Sequence, residues 1–394
     1  MNPAAPGAAR PRRGAWLWAV LPLGLLALLL WLFLATDPLA PLGSAAPPLE
    51  ELTVERTTLD DGGIHLLVRA DGSAPLRIAQ VQVDGAYWSF DQQPPGALRR
   101  LQTVEVHVPY PWVEGEAHRV TLLTNTGVAF EHAIDVAVPT PRFGLGRLLA
   151  FALLGVYVGV VPVGLGLLFY PWLRTLGRRG LQFLLALTLG LLAFLLVDTL
   201  EEGLDLAGAA AGAFQAAASV WLAAGLAFLL LLVVGRRRGV PEGASLATFL
   251  ALGIGLHNLG EGLAIGAAFA VGQAALGSFL VVGFTLHNIT EGIGIAAPLT
   301  RRPVRLATFV GLAALAGLPA VIGTWVGAFA FAPQWAALFL GIGAGAILQV
   351  MVEVGAYLAR STDARRTGWL SGTNLAGFAL GIAVMYTTGM LVNV

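Results

Sequence analysis

Eight apolar runs, each long enough to cross a lipid hydrocarbon core, follow one another through the C-terminal part of this chain: about 148–170, 181–203, 214–235, 244–271, 277–298, 304–331, 335–358 and 370–392. Inside lipid no water is at hand for backbone N–H and C=O groups, so each run must close its hydrogen bonds within itself, as a helix. The chain has 394 residues, of which 57% are hydrophobic and 12% charged, with mean hydropathy +0.76. That composition excludes an ordinary soluble globular protein. The absence of cysteine excludes disulfides and thiolate metal sites. Formal net charge is zero and every basic residue is Arg. The Arg clusters are short and flank apolar runs, so nothing in them points to nucleic acid.

Residues 1–14 are polar and carry Arg10, Arg12 and Arg13, ahead of an apolar run from Ala15 to Ala35. The apolar core of a signal peptide is shorter, about 7–15 residues. The expectation is therefore an uncleaved anchor over 1–36 with its N-terminus in the cytoplasm; cleavage near Leu39-Ala40-Pro41 is the alternative. Residues 37–48 form a Pro/Ala-rich linker, and residues 49–141 read as a small water-soluble domain. Val104, Val106 and Val108 alternate there with Thr103, Glu105 and His107, the period of a strand. Turn signals recur at Asp61-Gly62, Asp71-Gly72, Asp84-Gly85 and Asn125-Thr126-Gly127. Six or seven short strands at that spacing predict a β-sandwich, immunoglobulin-like but without the disulfide. The domain's four His are scattered along it, so folding, dimerisation or partner binding is expected of it rather than metal capture.

Loops after the first, third, fifth and seventh spans carry Arg174/Arg178/Arg179, Arg236/Arg237/Arg238, Arg301/Arg302/Arg305 and Arg360/Arg365/Arg366. Only Arg142 and Arg147 flank the bundle on the other side. The positive-inside rule then places the first set in the cytoplasm, and the β domain and C-terminus outside. The expected fold is an all-α polytopic bundle of eight helices, residues 145–394, plus one anchor helix and a small all-β extracytoplasmic domain. The expected location is the cytoplasmic (inner) membrane. Glycines four apart, at Gly323/Gly327, Gly341/Gly345 and Gly377/Gly381, predict close helix packing.

Within the fourth span lies His257-Asn258-Leu259-Gly260-Glu261-Gly262, and thirty residues later, in the fifth, His287-Asn288-Ile289-Thr290-Glu291-Gly292. Residues four apart share a helix face, so each His stacks one turn from its Glu, with an Asn beside them. Ionisable groups near a bilayer's centre are costly and mark function by default. Two antiparallel helices with one motif at one depth can build a pseudo-twofold site of two imidazoles and two carboxylates, with Asn258 and Asn288 adding carbonyl oxygens. Such donors suit zinc, with iron or manganese as alternatives. The glycine after each Glu admits a neighbouring helix.

A path into and out of that site has its own candidates. Asp198, Glu201, Glu202 and Asp205 form an i, i+3, i+4, i+7 stripe at the outer end of the second span, able to concentrate cations or simply to solvate a helix end. Gln349 and Glu353 share a face of the seventh span near its cytoplasmic end, where an unpaired Glu reads as an inner relay or exit site.

The paired His-Asn-x-x-Glu-Gly motifs resemble the fourth and fifth helices of the ZIP (Zrt/Irt-like) metal transporters. The run Gly345-Ala346-Ile347-Leu348-Gln349-Val350-Met351-Val352-Glu353 resembles that family's seventh helix. The likeness covers residues 145–394 and leaves out the anchor and the β domain. It implies uptake of a divalent transition metal toward the cytoplasm, with His257, Asn258, Glu261, His287, Asn288 and Glu291 as ligands. Many bacterial members carry a further Glu before a Pro in the sixth helix. Here the stretch reads Ala316-Gly317-Leu318-Pro319-Ala320, so one main metal site is expected rather than two.

The chain is accordingly expected to be a metal transporter and not an enzyme, with divalent metal as its substrate and no organic cofactor. Its expected partners are the bilayer, metal cations and a second copy of itself, with no nucleic acid. Two rivals stand beside this reading. An intramembrane metallohydrolase would need an open coordination position and a separate base, and no H-E-x-x-H motif occurs. A metal sensor would signal through the β domain.

Overall fold

A computed structural model describes residues 15–36, 49–140, 142–237, 239, 241–270, 274–300, 303–361 and 371–392. It divides into two compact units, Met1–Leu49 and Glu50–Val394. The first holds helix α1, Ala15–Thr36, which is exposed at every position from Val20 to Phe33 and apolar on all sides. Arg10, Arg12, Arg13 and the 37–48 linker lie outside the described residues.

The second unit begins with eight strands: β1 Leu52–Asp60, β2 Gly63–Ala70, β3 Ile78–Val83, β4 Ala86–Trp88, β5 Asp91–Gln93, β6 Thr103–Val108, β7 His118–Thr124 and β8 Ala129–Ile134. The sequence predicts six or seven; β4 and β5 are only three residues long, too short to show a period of two. The strands form two antiparallel sheets, ordered β1-β2-β6-β5 and β4-β3-β7-β8. Alternate residues of both sheets enter one core, including Ile64, Leu66, Val81, Val104, Val106, Val108 and Leu122. The Asp84-Gly85 turn needs positive φ at both residues, 52° and 81°, which Asp tolerates and Gly prefers.

Eight further helices follow. They are α2 Leu145–Leu173, α3 Arg178–Gly208, α4 Ala216–Arg236, α5 Ala244–Ala270, α6 Ala274–Ala296, α7 Leu306–Phe329, α8 Pro333–Ser361 and α9 Gly372–Val392. Among the described residues, seven helices are long and apolar enough to cross a membrane, so this is a multi-pass membrane protein. One span departs from the expected regular helix: α2 contains a π-helical turn at Val156–Val160. Helix α3 runs to Gly208, five residues beyond the expected end of the second span, so the acidic stripe, expected at that outer end, occupies its last three turns.

Two groups of helices pack internally. In one, α5 lies along α7, with α2 against α6 and α7; in the other, α3 contacts α8 and α9, and α8 contacts α4. Helix α8 also lies along α5 and joins the groups. Glycine makes the close approaches possible. A Cβ at Gly323 or Gly327 would strike the carbonyls of Leu259 or Leu263, one at Gly341 or Gly345 the backbone at Val220 or Ala224, and one at Gly377 or Gly381 the carbonyls of Phe183 or Leu187. All three glycine pairs thus pack helix on helix as expected. Gly262 meets the Ala320 carbonyl and Gly292 the Val163 carbonyl, so the glycine of each motif does admit a neighbouring helix.

The β domain grips two connections of the bundle. Both oxygens of Asp71 accept the Ala213 N–H, at 3.1 and 3.3 Å, in the short 3-10 turn between α3 and α4. The Arg69 guanidinium lies 5.0 Å from the Phe214 ring, and Arg56 donates to the Phe331 carbonyl between α7 and α8 at 3.2 Å. These are the helix ends opposite to those bearing Arg178, Arg236, Arg305 and Arg360. Arg238, Arg301, Arg302, Arg365 and Arg366 lie outside the described residues. Between the domain and the Phe329–Phe331 end of α7 is a cavity of about 450 Å³, lined in part by Thr57 and His132.

Two expectations follow from this packing. Gly262→Leu drives a side chain into the Ala320 backbone and should cost about 1–3 kcal/mol, the range for overpacking, whereas Gly225→Ala, with open space around it, should be neutral. Thermal unfolding in detergent compares them. The second concerns His132, whose Nε2 lies 2.8 Å from the Thr57 hydroxyl and bridges the edges of the two sheets. Burial pushes its pKa down, with Asp135 opposing weakly. An imidazole held neutral in the folded state contributes stability above its ordinary pKa, and that stability is lost as pH falls through the depressed folded value. The protection of β1 and β8 amides against hydrogen exchange, corrected for the pH dependence of intrinsic exchange, should therefore fall below about pH 6.5, and His132→Gln should remove that dependence.

Candidate metal centre

Helices α5 and α6 bring both motifs to one buried point. His257, Asn258, Glu261, His287, Asn288 and Glu291 are each 5% exposed or less. His257, His287 and Glu291 each place a ligand atom within 4.8 Å of the others, and this group could hold a metal ion. A tetrahedral ion with bonds of about 2.0–2.1 Å spaces its ligands about 3.3 Å apart, so small side-chain adjustments close the cage.

The sequence repeat is symmetric; the site is not. Glu261 Oε1 faces both imidazoles, at 3.1 Å from His257 Nε2 and in short contact with His287 Nε2. Its Oε2 accepts from the Asn288 amide at 3.1 Å. Glu291 has no equivalent set. Asn258 lies beside it but donates its amide to the Ala316 carbonyl, at 3.0 Å, and both Glu291 oxygens are buried without a hydrogen bond. The hydrogen bonds of the two motifs are thus unequal. Tertiary contacts with different neighbours gave Glu261 both imidazoles and the Asn288 amide, while the Asn258 amide goes to the Ala316 carbonyl and Glu291 is left without a hydrogen bond.

The two Asn residues keep the symmetry that the Glu residues lose. Asn288 donates to the Val158 carbonyl, at 3.0 Å, in the π-helical turn of α2, as Asn258 does to Ala316 in α7. Each amide is anchored through its NH2, and each Oδ1 is buried with no donor. Four orphaned oxygens, two from Asn and two from Glu291, thus lie among the residues of this site, and buried orphans are rare. An unpaired carboxylate in a low-dielectric interior costs several kcal/mol unless a cation or proton offsets it. A divalent ion supplies charge and takes up several oxygens together.

Sequence reasoning missed Thr199. It is 3% exposed on α3, and its hydroxyl lies 3.5 Å from His257 Nδ1, so Nδ1 faces the hydroxyl while Nε2 points at the ligand cluster. A group bonded to the far nitrogen of a ligating histidine sets its ring orientation. No local signal marks a Thr in an apolar run; only its position beside Asp198 hints at it. Asp198 and Glu201 are exposed on α3 and Glu202 is half-buried, one helical turn or less from Thr199.

On α8, Gln349 and Glu353 are also buried, at 1% and 0% exposure. Neither amide atom of Gln349 has a hydrogen-bond partner. Gln349 lies beside Gly253, one turn of α5 before His257. Glu353 was expected to be unpaired, and this is corrected: its Oε1 accepts from Arg236 Nε at 3.0 Å, while Oε2 has no partner. The partner comes from the last turn of α4, 117 residues away, beyond the reach of any local pattern.

Isothermal titration of purified protein with Zn²⁺ should give a buried site that Glu291→Gln weakens strongly. Thr199→Val should weaken it roughly 10–100-fold, the range for losing a group that orients a ligating histidine. Compared with known proteins, the chain matches no protein-family profile and no curated sequence.

Proposed function

We propose that this protein carries a divalent transition metal, zinc first among the candidates, across a membrane through the His257/His287/Glu291 centre. The observation that carries this reading is the orphaned Glu291 carboxylate, buried beside two imidazoles within a membrane-spanning bundle. A resident structural ion would suit the same donors. Transport is favoured because polar groups extend on both sides of the centre: the acidic stripe of α3 next to Thr199, and Gln349 and Glu353 on α8. The Arg distribution supports a cytoplasmic location for the Gln349/Glu353 end, the β domain lying outside, and hence movement inward. The paired motif's likeness to the ZIP transporters points the same way. Metal ligands must be deprotonated, so acid should weaken loading.

The test is flux. Proteoliposomes should accumulate zinc, iron or manganese ions, and His257→Ala or Glu261→Ala should abolish uptake. Normal uptake by both variants would refute the site, and absence of uptake by wild type across that panel would refute transport. Deleting residues 49–141 separates a carrier, which keeps flux, from a sensor that acts through the domain.

A further inference from the structure

The β domain's histidines are scattered in sequence, but two of them meet in the fold. Strand register places His65 of β2 directly opposite His107 of β6, and their rings stack at 4.3 Å with planes 19° apart. The same register sets Asp91 of β5 opposite His107, completing a row across the sheet. Cross-strand partners point to one face, and residues two apart on a strand share it. Glu105 therefore joins the row, its Oε1 3.4 Å from His65 Nδ1. Asp60, at the end of β1, reaches within 3.4 Å of His65 Nε2. His65 thus has a carboxylate at each nitrogen, and His107 Nε2 is held by the Gly62 carbonyl at 3.0 Å.

Two further observations give this cluster meaning. It lies on the sheet face that also presents Arg56 and Arg69, two side chains that touch the bundle; Leu67 and Arg69 follow His65 on alternate positions of β2, and Arg56 pairs with Leu67. The connection gripped by Asp71 and Arg69 immediately follows α3, whose last turns carry Glu201, Glu202 and Asp205.

We infer that His65 and His107, with Asp60, Glu105 and Asp91 around them, form a second divalent-cation site on the β domain. Two imidazoles and flanking carboxylates are a borderline donor set suited to zinc and other first-row divalent ions. Both imidazoles lie at the sheet surface, and Glu105 and Asp91 are exposed. Rotation about χ2 frees His107 Nε2 from the Gly62 carbonyl and turns both rings toward one ion. His65 binds through one nitrogen, with Glu105, which lies at Nδ1, as the nearest available carboxylate, since Asp60 at Nε2 is already held by Arg142 and the Gly62 N–H. Metal binding here is independent of transport. The further role, delivering ions to the acidic end of α3, rests on the transport reading.

Equilibrium dialysis of the full-length protein in detergent against Zn²⁺ alone, with elemental analysis, decides the matter. Wild type should bind two ions per chain. His65→Asn/His107→Asn should bind one, and His257→Ala/Glu291→Gln should also bind one while keeping the β-domain site. Asp91→Asn/Glu105→Gln, which leaves both imidazoles in place, should weaken that site tenfold or more and guards against misfolding of the first variant. Wild-type stoichiometry and affinity in both β-domain variants would overturn the proposal, whatever happens to flux. In proteoliposomes that transport, His65→Asn/His107→Asn should raise the half-saturating zinc concentration several-fold at unchanged maximal rate. An unchanged half-saturation would overturn the delivery role alone.

Discussion

The bundle is organised around one uneven sharing of hydrogen bonds: Glu261 holds two imidazoles and an amide, while Glu291 holds nothing. In water this imbalance would be trivial. Between apolar helices it leaves a charge, or a site for one, that the protein's own donors do not offset. Five helices meet to create it. Helices α5 and α6 supply the six motif side chains, α2 and α7 anchor the two Asn amides through backbone carbonyls, and α3 contributes the Thr199 hydroxyl.

That convergence depends on backbones lying nearly in contact. The motif helices come so close to α7 and α2 because Gly262, Gly292, Gly323 and Gly327 have no side chains to hold them off. The same proximity brings the Val158 and Ala316 carbonyls within reach of short Asn side chains. Packing and polar chemistry are therefore one design: a larger residue at the interface would separate the carbonyls from the amides as well as the helices from each other. The β domain joins this scheme at the connections after α3 and α7, through Asp71, Arg69 and Arg56.

Much of this was legible beforehand. Apolar length identified the spans, because lipid leaves the backbone no alternative to helix, and the i, i+4 spacing placed His257 with Glu261 and His287 with Glu291. Alternation at Val104, Val106 and Val108 marked a buried strand face, and the structure buries all three. The errors share one cause. Glu353 acquires Arg236 across 117 residues, His65 acquires His107 across a strand pair, and Thr199 reaches His257 from another helix. Contacts between distant segments leave no mark in local periodicity.

By itself, the sequence determined element type, membrane character and the chemical identity of the donors, since each depends on composition and short-range spacing. Only the tertiary structure decided which donors are already satisfied and which stand free. A hydrogen bond is a contest among all groups within about 3 Å, and that neighbourhood exists only once the helices have packed.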